Sequence, residues 1–308
     1  MVKKRILLDC DPGIDDALAI FLALGHADIE LNSIVATYGN MSLEQVRENL
    51  SGVLGFFDAK DLPRVGSGSR HPIAGKSVEA RHVHGEDGLG GRGRLLRKAD
   101  LKFDDGVDVI IDSVLSEKID TIVATGPLTD LARAVKKEPL LADFSGEIVI
   151  MGGAVSIPGN VTPESEYNFY CDPDAASIVL NLPVRKRLVS LDVTRRVLLT
   201  EKHVAALGSI DADIARFIAD IGRYSIDFHR RARNMGGACV HDALAMGLVI
   251  DEGIGKYEDL RLDVETKDKG RGRVIIKDGP SNVRFCREAD TDRFFDILIK
   301  TYVKLAEQ

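Results

Sequence analysis

The chain has no tryptophan, only four cysteines among 308 residues, and no apolar run long enough to cross a bilayer. A membrane span needs about 18 consecutive apolar residues. The N-terminal MVKKRILLDCD meets charge too early for the core of a signal peptide, so no membrane contact and a cytoplasmic location are expected. Cys10, Cys171, Cys239 and Cys286 stand far apart with no C-x-x-C pair, which spells neither a zinc ribbon nor a redox couple. They read as reduced, mostly buried thiols, with Cys10 pointing away from Asp9 and Asp11 along a strand. Basic clusters are lacking too. A net charge of -7 without a block of Lys and Arg excludes a nucleic-acid footprint and points to a small-molecule substrate.

What is present is the makings of a large core: 44% of residues are hydrophobic and 29% charged, as in an ordinary globular protein. Short β-branched runs recur at KRILLD (4–9), LNSIVAT (31–37), DTIVAT (120–125), GEIVIM (146–151) and KRLVSLD (186–192). Several flow into helical patterns such as DDALAIFLALG, with Gly25 placed to stop the first helix, and PLTDLARAVKK. This alternation predicts an α/β fold with a mostly parallel central sheet flanked by helices. No linker or repeat divides residues 1–308, so a single domain is expected, with the polar, glycine-rich segment 86–106 as a mobile loop. Helices over about 200–250 and a strand pair near RLDVET and GRVIIKD decorate its end. In such sheets ligands gather beyond the carboxyl ends of the strands, here DCDPGIDD, ATYGN, VATGPL, IMGGA and LDVT.

The first of these endings is unusual. Asp9, Asp11, Asp15 and Asp16 crowd around a Pro12-Gly13 turn where a strand hands over to a helix. The helix N-terminus stabilises one or two anions but not four. Packed like charges need a cation among them, and with only oxygen ligands nearby that cation is Ca²⁺ or Mg²⁺. An EF-hand is excluded, because Ile14 and Ile20 occupy the positions of its glycine and glutamate. A haloacid-dehalogenase-like phosphatase also ends its first strand in D-x-D, but that loop continues with glycine and then Thr or Val, not with Pro12, Gly13 and two further acids. The G-x-G-x-x-G letters at Gly88–Gly93 neither follow a strand nor open a helix, so they do not make a dinucleotide site.

DCDPGIDDALA, TYGN, VATGPLTDLA, IMGGA, GNVTPESEYNFYCDPDAA and VHDALA, in this order, closely resemble the inosine/uridine-preferring nucleoside hydrolases over about residues 5–300. The resemblance implies an N-ribohydrolase holding Ca²⁺ through Asp11, Asp16, the Thr125 carbonyl and Asp242, with Asp9 as a supporting acid behind the metal. It implies Asp11 as general base and His241 as the acid that protonates the departing base, work suited to an imidazole titrating near neutrality. Asp15, Asn40, Met151, Asn160, Glu166 and Asn168 match ribose-binding positions, and His84, ahead of His82, matches a lid contact. Tyr224, Phe228 and Arg233 are candidates for contact with the base, whereas His26, His71, His203 and His229 read as surface or packing residues. Without tryptophan, stacking of a purine between indoles is ruled out, so a pyrimidine-leaning or broad specificity in nucleoside salvage or catabolism is expected. A receptor that binds nucleoside without turnover is the remaining alternative, disfavoured because Asp11, His241 and Asp242 are all present. Enzymes of this size commonly assemble symmetrically, so a homo-oligomer, dimer or tetramer, is expected.

Overall fold

The computed structural model describes residues 2–307. Its main sheet contains β1 (Lys4–Cys10), β2 (Ile29–Ala36), β3 (Arg64–Ser67), β4 (Asp104–Asp105), β5 (Thr121–Ala124), β6 (Glu147–Met151) and β7 (Arg185–Val189). Later come β8 (Leu198–Leu199), β9 (Ala238–Cys239), β10 (Gly255–Leu260), β11 (Leu262–Val264), β12 (Val274–Ile276) and β13 (Val283–Ala289). The nine-stranded order is β10-β13-β7-β6-β5-β1-β2-β3-β4, parallel except for β10, which runs antiparallel to β13. Outside it, β8 pairs with β9 and β11 with β12; the latter hairpin is the strand pair read from RLDVET and GRVIIKD.

The helices are α1 (Ile14–Gly25), α2 (Leu43–Leu54), α3 (Arg81–His84), α4 (Gly106–Leu115), α5 (Thr129–Lys137) and α6 (Tyr167–Cys171), followed by α7 (Pro173–Leu180) and α8 (Leu191–Thr194). The last four are α9 (Glu201–Gly208), α10 (Asp213–Arg233), α11 (His241–Ile250) and α12 (Thr291–Ala306). None is long and apolar enough to cross a membrane among the described residues.

The continuous apolar runs form strands because both sheet faces are covered. Along β1, Ile6, Leu8 and Cys10 enter one core with α1, α11 and α12, while Leu7 enters the other with α4, α5 and α7. α1 is buried on nearly every side, which explains why its sequence is apolar almost all round after Asp16. The Tyr302 hydroxyl of α12 donates to its Leu18 carbonyl at 2.7 Å.

Two expectations change. KRLVSLD is not strand throughout: β7 stops at Val189, and Ser190, whose hydroxyl accepts from Asp192 N–H at 3.1 Å, caps the short helix α8. Segment 86–106 is not a bare loop either. Asp87 accepts from the N–H groups of Leu89, Gly91 and Gly93, and the segment supplies β4 at the sheet edge.

Chain order sets the location of the site. From β1 the sheet grows through β2, β3 and β4 in one direction, then restarts with β5 on the other side of β1. A crevice opens where winding reverses, beyond the ends of β1 and β5.

Candidate active site

Asp11 follows β1, and its carboxylate is held from the β2 side. Asn40 N–H donates to Oδ2 at 2.6 Å and Asn40 Nδ2 donates to the Asp11 carbonyl at 3.1 Å. Gly39 is required beside it: a Cβ there would lie 2.0 Å from Asp11 Oδ2. Asp16 accepts from Asp11 N–H, Gly13 N–H, Thr125 Oγ1 and Asn40 Nδ2 at 3.0–3.3 Å. These bonds are long for charge-assisted ones.

Asp15 reaches across the molecule. Its Oδ2 accepts from the N–H groups of His241 (2.5 Å) and Asp242 (3.2 Å), anchoring the start of α11 against the start of α1, while Oδ1 is buried without a partner. The Asp242 carboxylate accepts no hydrogen bond among the described residues. Burial raises the pKa of all four acids, to about 7 for Asp15, and the neighbouring Asp16 carboxylate adds to it for Asp11, Asp15 and Asp242. An all-oxygen pocket with uncompensated negative charge and idle carboxylate oxygens fits a hard divalent cation. The Thr125 carbonyl sits at its rim, where Asn168 Nδ2 donates to it at 2.7 Å and to the Met151 carbonyl at 3.2 Å.

The cleft walls bring together Asp11, Asp15, Asn40, Met151, Asn160, Glu166, Asn168, Thr125, His84, His241 and Asp242. Asp16 lies beneath them, fully buried. Glu166 caps α6, accepting from the N–H groups of Gly153, Asn168 and Phe169 at 2.8–3.1 Å. Asn160 Oδ1 is buried without a partner and lies in the same cleft. From the lid, His84 Nδ1 accepts Ile14 N–H at 3.2 Å; burial holds its pKa down at about 4, so the imidazole is neutral. Tyr167, which sequence reading passed over, places its hydroxyl 2.6 Å from the Gly39 and Val78 carbonyls and joins the lid to the β2 loop.

Asp9 lies outside the cleft wall with both oxygens buried and unpartnered, a position compatible with a supporting acid, and burial together with Asp130 keeps its pKa well above the usual range. Other expectations are revised. His241 does not titrate near neutrality here, because burial and the nearby His229, Arg233, Arg195 and His84 push its pKa well below the usual value. On α10, Arg233 reaches the cleft but Tyr224 and Phe228 do not line it; Tyr224 packs on the lid at Gly85 and Gly90, and Phe228 meets His82 edge-on. Ser225 and His229 face the cleft instead, so His229 is not a mere packing residue. The spacing 225, 229, 233 marks one helical stripe and was the signal that could have found it.

The chain resembles known proteins over nearly its whole length. The family described as "Inosine-uridine preferring nucleoside hydrolase" matches residues 6–296. An inosine-uridine preferring nucleoside hydrolase of Crithidia fasciculata is 37% identical over 87% of this chain and 85% of its own. A pyrimidine-specific ribonucleoside hydrolase of Escherichia coli is 31% identical over 99% of both chains. The solved purine-preferring ribonucleoside hydrolase from Gardnerella vaginalis superposes with a TM-score of 0.93 at 32% identity, covering 99% of each chain.

Proposed function

The chain belongs to the inosine-uridine preferring nucleoside hydrolase family and is a ribonucleoside hydrolase, and from that premise we propose a calcium-dependent enzyme of pyrimidine-leaning or broad specificity. The observation that carries the cation is the set of buried, mutually repelling carboxylates with unpartnered oxygens at the β1/β5 switch. Asp11, Asp16, Asp242 and the Thr125 carbonyl would hold Ca²⁺, which would offset their charge and supply a Lewis acid for the ribose hydroxyls and the attacking water.

The chain's own groups perform the rest. Asp11, fixed by Asn40, takes a proton from water that attacks ribose C1′ as the bond to the base breaks. Positive charge gathers on the sugar ring, and the surrounding carboxylate and amide oxygens, Glu166 and Asn160 among them, stabilise it. Asp15, Asn40, Met151, Asn160, Glu166 and Asn168 surround the ribose. His84 closes the lid over it, excluding water.

His241 gives a proton to the departing base. The surroundings that hold its pKa down make the imidazolium a strong acid: the ring takes a proton from solvent, passes it to the base as the bond to C1′ breaks, and returns to the neutral imidazole. Indoles are missing from the chain, and polar Ser225, His229 and Arg233 face the place left for the base. These features support the leaning toward pyrimidines. Salvage or catabolism of nucleosides in the cytoplasm, by a homo-oligomer of single-domain chains, completes the reading.

Uridine, inosine and adenosine incubated with the purified protein, with ribose assayed before and after chelation, test it. Ribose release that stops on chelation and returns with calcium is expected. Full activity after exhaustive chelation overturns the calcium reading.

A further inference from the structure

One group of side chains in the cleft has no part in the oxygen-lined pocket. His229 of α10, Cys239 of β9 and His241 at the start of α11 place their ligand atoms within 4.8 Å of one another. His229 and Cys239 are each 4% exposed, and all three line the cleft. One thiol and two imidazoles are borderline-soft donors, a set that suits zinc and its neighbours rather than calcium.

The histidines are prepared for this role. His229 Nδ1 lies 2.9 Å from the Ser225 carbonyl, which can only accept, so Nδ1 carries the proton and Nε2 keeps a free lone pair. His241 Nδ1 is also occupied, paired at 2.7 Å with Thr194 Oγ1, a hydroxyl able to donate or accept. A second hydrogen bond that fixes the non-ligating nitrogen is the usual arrangement at metal-bound histidines. Cys239 is set by its pairing with Leu198 across β8 and β9.

We propose that His229, Cys239 and His241 form a second, inhibitory site for zinc-class divalent ions. The thiol releases its proton to solvent as the metal binds, and the three ligands draw in to the roughly 3.3–3.6 Å separations of a tetrahedral zinc ion. The fourth position opens onto the cleft. Metal on His241 occupies the nitrogen that serves the departing base, so the inhibitory effect rests on the leaving-group role proposed above.

Cobalt(II) in place of zinc tests the site without reference to turnover. With calcium kept in millimolar excess, one equivalent of Co²⁺ is expected to produce a thiolate-to-metal charge-transfer band. Cys239→Ser removes the band and weakens binding at least ~100-fold; His229→Gln weakens binding, and Cys286→Ser retains the band. In the assay, zinc is expected to halt nucleoside cleavage by the unmodified protein, and Cys239→Ser requires at least ~100-fold more zinc for equal inhibition. Absence of the band in the unmodified protein, or its persistence in folded Cys239→Ser, overturns the site. Cobalt bound through Cys239 without loss of turnover overturns inhibition and the leaving-group role of His241, while the site itself stands.

Discussion

The proposed function combines a general base and a metal ligand in the one carboxylate of Asp11, so its removal is expected to be costly. Asp11→Ala is expected to lower turnover by at least ~10³-fold while circular dichroism remains unchanged. Near-normal ribose release from that variant would contradict both roles. His241→Ala separates chemistry from binding. Uridine, with a poor leaving group, should slow by about 10²- to 10⁴-fold, and a nitrophenyl riboside, which needs no proton, far less; equal losses on the two would remove His241 from the proton path. Single residues also mark the limit of sequence reading. The acids of DCDPGIDD were legible because four charges in so few positions demand a counter-ion. The use of Asp15 Oδ2 to cap α11 was not, since its partners lie 226 and 227 positions away. His229 was passed over in favour of aromatic neighbours whose phase on α10 turns them aside.

Among the elements, the β2 loop holds Asp11 through Asn40, while His84 of α3 is pinned to the start of α1 at Ile14. Gly39→Ala forces the Asp11 carboxylate out of the space 2.0 Å from the new methyl, so kcat is expected to fall by about 10²-fold with little loss of folding. Unchanged kcat would show that the carboxylate can relocate freely. The lid bond has its own pH signature. His84 is held at about 4 against its usual 6.5, so the folded chain binds fewer protons than the unfolded one between those values. Stability from this group is therefore lost as pH falls from 6.5 through about 4. His84→Gln should flatten the Tm slope across that window. Strands and major helices were legible from periodicity, whereas α8 and β4 are too short to carry a period and depend on caps and edge pairing.

For the whole molecule, the acidic cleft is a source of instability that a cation removes. Asp11, Asp15, Asp16 and Asp242 have raised pKa values, so the metal-free folded chain holds more protons than the unfolded chain above the usual 3.8, and stability declines as pH rises from there, through about 7 for Asp15. In the proposed function calcium binds the ionised form. At about 100 times its Kd it should add roughly 2.7 kcal/mol, and the gain in Tm should be larger near pH 7.5 than near pH 5. Equal gains at both pH values would show that the ion does not compete with these protons. The fold class itself was legible because βα alternation leaves few topologies, but the sequence did not reveal that β13 returns beside β7.

The bond from His241 N–H to Asp15 joins residues separated by 226 positions. A nascent chain emerging from the ribosome completes strand after strand with no working catalyst, because the anchor for its first acids has yet to be translated. A productive site therefore waits on translation as far as the start of α11, by which point β1 through β9 have been made.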